Sequence, residues 1–263
     1  MQGIAIYRYC SNNTIEDNSI TKNGDGVTVS GDNNTVIGNS ITDNSDVGVT
    51  VSSSNNTVSK NYLTNNGDGI SLSDVSNITV SGNKISNSTT AIHLEESSDN
   101  CLAENTITNN TCGINLTRPA FFYGISNRYE SLRNNISGNL ISDCTVGVQL
   151  DHSSDNTFVH NSFIDNPTQV INLNSTYINT WDNGAEGNYW SNYNGDDGDG
   201  DGIGDTPYII DENNQDNYPL MNPCETSESD GNPSITELVL AVIVVVVLAI
   251  IVVGVFYRRN RKT

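Results

Sequence analysis

Apolar residues recur along this chain in pairs two positions apart, with Asn, Ser, Thr and Gly between the pairs. The pattern apolar-x-x-Asn-x-apolar is filled by Val36, Asn39 and Ile41, then by Val58, Asn61 and Leu63. Val80, Asn83 and Ile85 follow, and then Leu102, Asn105 and Ile107, each step being 22 residues. Ile15, Asn18 and Ile20 precede the set by 21 residues. After a break, Ile136, Asn139 and Ile141 lead to Phe158, Asn161 and Phe163, again 22 apart. A second apolar pair closes each unit, as at Val49 and Val51 or Ile70 and Leu72, usually just after a Gly. A fixed period near 22 predicts a solenoid. Leucine-rich repeats would put an apolar residue where every unit here has Asn, and no helical stretch follows any unit. Alternation at period two reads as strand. The expectation is therefore an all-β fold: a right-handed parallel β-helix over residues 1–180, its coils stacked about 4.8 Å apart.

Asn is a turn residue and a poor strand former, so its repetition needs a reason. Asn39 and Ile41 are two apart and share a face. A lone buried amide costs about 1–3 kcal/mol. Stacked over its counterpart in the next coil, it finds partners. Asn18, Asn39, Asn61, Asn83, Asn105, Asn139 and Asn161 are expected to form such a ladder at a bend, with a structural role.

The period breaks at 117–135. "TRPAFFYGISNRYESLRNN" carries Arg118, Arg128 and Arg133 among aromatic residues. As a loop along the flank it would offer Arg118, Tyr123, Arg128 and Tyr129 to a sugar by charge and stacking. The alternative is a loop folded onto the solenoid. Residues 181–223 read as a C-terminal cap containing "DDGDGDGIGD". There Asp197, Asp199, Asp201 and Asp205 have the alternation that wraps hard oxygens around calcium, with Gly202 for the turn. No Glu stands at the twelfth position of an EF-hand loop; that place is Tyr208. The expected ion is structural, since no base or nucleophile accompanies it.

A linker at 224–234 leads to nineteen uncharged residues, Leu238–Phe256, and then to "RRNRK". Such a run favours membrane insertion by on the order of 6–10 kcal/mol and is long enough to span a bilayer. A transmembrane helix is expected at 235–257, with the tail 258–263 cytoplasmic and the solenoid outside. No signal peptide is visible before Gly3. "GIAIYRY" already matches the second half of a unit, so a late-started version of a longer protein is expected.

Charge narrows the partners. The net charge is −20, with charged residues only 16% of the chain, which disfavours nucleic acid and anionic membrane surfaces. Five Cys without a C-x-x-C pair argue against a zinc ribbon or thioredoxin-like site. Cys112 and Cys144 stand where neighbouring coils could bring them together. Nine N-x-S/T sequons, including Asn33, Asn55 and Asn77, fit an exterior location.

The repeats "NNTVIGNSITDN" and "GVTVSSSNNTV" resemble those of the NosD-like family, grouped with carbohydrate-binding proteins and sugar hydrolases, over residues 3 to 175. Gly187 to Met221 resembles the closing segment of archaeal surface proteins. The resemblance implies a parallel β-helix. It also raises copper delivery, for which His93, His152, His160 and two Met make no soft-ligand cluster. No D-P-H, G-H-G, R-I-K or R-x-P-x-x-R motif of β-helix enzymes is present. The expected function is a membrane-anchored surface β-helix that binds cell-surface polysaccharide or serves the envelope. A polysaccharide-active enzyme and a metal-delivery protein are the alternatives.

Overall fold

Each corner of the solenoid is spelled by two residues. The first sits in the left-handed region, as do Asn33 (φ 58°), Gly38 (φ 68°) and Asp43 (φ 57°). The second, Asn34, Asn39 or Asn44, turns inward and is buried. Asn, Asp and Gly tolerate the left-handed conformation best. Three such corners per coil separate three strands, and this explains a sequence so rich in Asn.

The computed structural model describes residues 2–118 and 130–224. Its parallel strands stack into three sheets of about seven coils. Sheet 1 runs from Ile4–Ile6 through Val27–Val29, Val47–Val51, Asp68–Ser73, Thr90–Glu95, Cys112–Thr117 and Val146–Leu150 to Thr168–Asn172. Sheet 2 runs from Thr14–Glu16 to Thr157–Val159, and sheet 3 from Ser19–Thr21 to Tyr189–Trp190. Inward residues form continuous columns. Ile41, Leu63, Ile85, Ile107 and Ile141 stack in register in sheet 3. Each such side chain contributes roughly 1.5–3 kcal/mol when fully buried.

Asn39 shows how the corner amides are satisfied. Its Oδ1 accepts the Asn18 N–H at 2.9 Å. Its Nδ2 donates to Ile15 O, to Ile37 O and to Asn61 Oδ1, at 2.9, 3.0 and 3.0 Å. Asn61, Asn83, Asn105, Asn139 and Asn161 continue this column. All are buried, whereas Asn18, on the first coil, is exposed. Two further columns exist. One holds Asn34, Asn56, Asn100, Asn134 and Asn156, with Ile78 interrupting it. The other holds Asn44, Asn66, Asn110 and Asn166, with Ser88 and Cys144 substituting.

The Gly before the closing apolar pair marks a close approach of coils. A Cβ on Gly48 would lie 2.6 Å from Gly69 O.

Aromatic residues end the apolar columns. Phe163 stacks on Trp190, and Trp190 on Tyr208, with centroids 4.3 and 4.2 Å apart. Phe158 stacks on Trp181 at 4.4 Å. The central Asn column ends on Asp216, whose Oδ2 accepts the Asn188 N–H at 2.7 Å. Cys112 and Cys144 are not joined, and every cysteine is a free thiol. Among the described residues no helix is long and apolar enough to cross a membrane. The run expected to be transmembrane, 235–257, and the tail 258–263 lie outside the described residues, as does the linker beyond Cys224.

Candidate functional site

The outer face of sheet 1 presents rows of side chains held in register by the strand ladders. In the middle row Thr28 pairs with Thr50, Thr50 with Ser71, Ser71 with His93, His93 with Asn115, and Asn115 with Gln149. The adjacent row holds Ser73, Glu95 and Thr117, and Asp151 follows directly after Leu150. His93 ties the rows together. Its Nε2 lies 2.9 Å from Thr117 Oγ1, and its Nδ1 lies 3.6 Å from Asp68 Oδ2. Among the described residues, two side-chain polar atoms are buried without a hydrogen-bond partner, Thr28 Oγ1 and Asn115 Oδ1. Both belong to this middle row.

At the corner beyond this face the acids crowd. Burial raises the Glu96 pKa, and the neighbouring Asp74 and Glu95 carboxylates raise it further. Two coils on, His152 bonds Asp151 and packs against Tyr177, ring centroids 5.0 Å apart. Burial also raises Glu130, while the charges of His152 and Arg118 pull it back. Arg118 stands at the root of the insertion. Tyr123, Arg128 and Tyr129 lie outside the described residues.

The Asp-rich loop gathers its carboxylates differently. Oxygens of Asp197, Asp199 and Asp201 all lie within 4.8 Å of one another. Asp197 accepts the N–H groups of Gly200 and Gly202 at 2.8 and 3.0 Å. Both glycines have positive φ, 77° and 89°. Asp205 is outside the trio; its Oδ2 accepts the Gly198 N–H at 2.8 Å.

Of the residues the sequence singled out, three loop aspartates are brought together. The His93 row was overlooked. Its signal was available, because Thr28, Thr50, Ser71, His93 and Asn115 each stand between the two apolar residues that close a unit.

Solved structures show how the fold is used elsewhere. The A-module of an Azotobacter vinelandii mannuronan C-5 epimerase aligns with a TM-score of 0.56 and 19% identity, over 65% of this chain and 52% of that one. The Dettilon tailspike protein aligns with a TM-score of 0.58 and 17% identity, over 72% and 46%. A tailspike protein mutant of E. coli bacteriophage HK620, in complex with a pentasaccharide, aligns with a TM-score of 0.58 and 14% identity, over 73% and 39%. At these identities the likeness is one of fold. Sequence relatives are named probable ABC transporter binding protein NosD. The one from Pseudomonas aeruginosa is 42% identical over 86 residues, and the one from Stutzerimonas stutzeri 37%. Those 86 residues are 32% of this chain and 20% of each relative. The family profile described as "Periplasmic copper-binding protein (NosD)" matches residues 1–120 and 123–195. With most of the solenoid matched, the chain belongs to the NosD family.

Proposed function

We propose that this protein is an extracytoplasmic β-helix that binds a glycan laid along the outer face of sheet 1. One observation carries the reading: the in-register row from Thr28 to Gln149 contains both polar atoms that are buried and unpartnered among the described residues. An unsatisfied buried acceptor costs about 1–3 kcal/mol, and turning the Asn115 side chain outward to accept from a sugar hydroxyl would remove that cost. Coils repeat at about 4.8 Å, close to the advance per sugar of an extended pyranose chain. Successive sugars therefore meet successive coils. Tyr177, beside His152, supplies an aromatic surface at the far end. The pentasaccharide carried by a structural neighbour supports the reading. A periplasmic family, an acidic chain and the sequons support an exterior location. The apolar run 238–256 and the basic tail would anchor the protein in a membrane, with the solenoid outside.

The test is a glycan array followed by calorimetric titration of the best hit. Asn115→Ala and His93→Ala should each weaken binding at least tenfold. Thr106→Ala, on sheet 3, should not. Mass spectrometry of the bound glycan separates binding from turnover. Absence of binding to every microbial polysaccharide on the array would overturn the proposal.

A structural calcium ion at Asp197, Asp199 and Asp201 belongs to the same reading. Its donors are hard carboxylates, the class calcium takes. Copper, which the family description carries, prefers imidazole and sulfur. His93, His152 and His160 each engage a carboxylate at a different place in the solenoid. Burial pushes the Cys112 thiol up to about 12, away from the thiolate that binds metal. Among the described residues, the one group of three or more His, Cys, Asp or Glu placed to share an ion is the Asp trio. These residues do not fit copper.

A further inference from the structure

We infer that the glycan taken by sheet 1 is an amino-sugar polymer rather than a uronate; this rests on the glycan-binding reading above. The eight strands of sheet 1 contain no Lys or Arg. Its outer face carries Asp68 and Glu95 on adjacent strands, and Asp151 follows two strands beyond Glu95. Arg133, nearby, is already matched: it grips Asp99 with two hydrogen bonds of 2.8 and 2.7 Å.

A uronate chain would set one carboxylate per sugar against this face. Like charges brought together across an interface are strongly disfavoured, and Glu96 already responds to Asp74 and Glu95. An ammonium on each sugar reverses the sign. Along the axis it meets Glu95 and Asp151, while the sugar hydroxyls pair with Ser71, His93 and Asn115; Asp68 lies at the opposite edge of the face, beside His93. The unpartnered Asn115 Oδ1 lies one strand beyond His93 in the same row and accepts from a hydroxyl or an ammonium equally well. The acids set the charge of the ligand, and the neutral row sets its hydroxyl pattern.

The experiment uses the full chain in non-ionic detergent, titrated with three hexamers: glucosamine, N-acetylglucosamine and mannuronate. The glucosamine hexamer should bind at least tenfold more tightly than the acetylated one, and the mannuronate hexamer should give no heat. Raising salt to half molar should erase most of the preference. The double variant Glu95→Gln, Asp151→Asn should lower glucosamine-hexamer affinity at least tenfold. Asp143→Asn with Asp165→Asn removes the same charge at corners after sheet 3 and should leave affinity unchanged. Equal binding of the acetylated hexamer, binding of mannuronate, or equal effects of the two double variants would overturn the inference. Should mannuronate or the neutral hexamer bind and glucosamine not, the glycan-binding reading stands and the charge assignment falls. Should none of the three hexamers bind, the amino-sugar inference falls, and the glycan array alone decides the glycan-binding reading.

Discussion

The indole Nε1 of Trp190 donates to Asp216 Oδ2 at 2.9 Å, inside the cap and out of contact with water. The same oxygen accepts the Asn188 N–H, and Oδ1 accepts the Tyr218 N–H at 3.0 Å. One carboxylate thus ends the central Asn column and holds the Trp that closes the apolar column beside it.

Replacing Asp216 by Ala should therefore loosen the cap. Each buried donor left unpaired costs about 1–3 kcal/mol. Thermal unfolding followed by circular dichroism should show a clear fall in Tm, with Trp fluorescence reporting the change first.

Asp216 also sets a pH dependence. Burial raises its pKa in the folded protein, against hydrogen bonds from Trp190, Asn188 and Tyr218 that lower it. The folded state then holds the proton more tightly than the unfolded chain does. Its contribution is full below the ordinary Asp value and is lost as pH rises through the raised folded value. Asp216→Asn cannot titrate. The stability of the wild type relative to this variant should decline from about pH 4 upward. A difference that stays flat from pH 3 to 8 would refute the assignment.

The ladder predicts a cost at Asn83. Its Oδ1 accepts both the N–H and the Nδ2 of Asn61, each at 3.0 Å. Its Nδ2 donates to Val58 O and Asn105 Oδ1. Leu at this position leaves the Asn61 backbone N–H without its acceptor, while the Asn61 Nδ2 keeps Val36 O and Ser59 O, a loss of about 1–3 kcal/mol for the orphaned group. An unchanged Tm for Asn83→Leu would count against the ladder.

Calcium at the Asp-rich loop should register as stability. A ligand at one hundred times its Kd adds about 2.7 kcal/mol to a protein that binds it only when folded. Calcium should raise the Tm of the wild type and leave Asp199→Ala, Asp201→Ala unaffected. No heat of binding at millimolar calcium would end the proposal.

The thiols should divide by burial. Cys10 is exposed and Cys112 has its pKa pushed up to about 12, mainly by burial. At pH 8 a group of that pKa is ionised to on the order of one part in ten thousand. Iodoacetamide should label Cys10 and leave Cys112 until the protein unfolds, a pattern that peptide mass spectrometry reads directly.

The sequence by itself determined the coil. A period of 22, with apolar residues two apart, admits one economical solution, and Asn39 and its counterparts fall where the pattern places them. Three of the four loop aspartates expected to converge do so, because alternating Asp residues share a side and the turns at Gly200 and Gly202 close the loop, while Asp205 lies outside. Two of the three Asn columns were missed, since Ile78, Ser88 and Cys144 interrupt their spelling; only the stacking of coils shows that these residues share the amides' places. The His93 row was hidden for a related reason. Asp68, His93 and Thr117 are 25 and 24 residues apart, and nothing local links them. They meet because parallel strands set one coil on the next and turn alternate side chains outward. The same stacking leaves Thr28 Oγ1 and Asn115 Oδ1 buried without partners, a property of neighbours that no single segment encodes. Asp216 likewise reads as one more turn acid in the sequence. It becomes the end of a ladder only when the cap folds over the last coil and excludes water from its carboxylate.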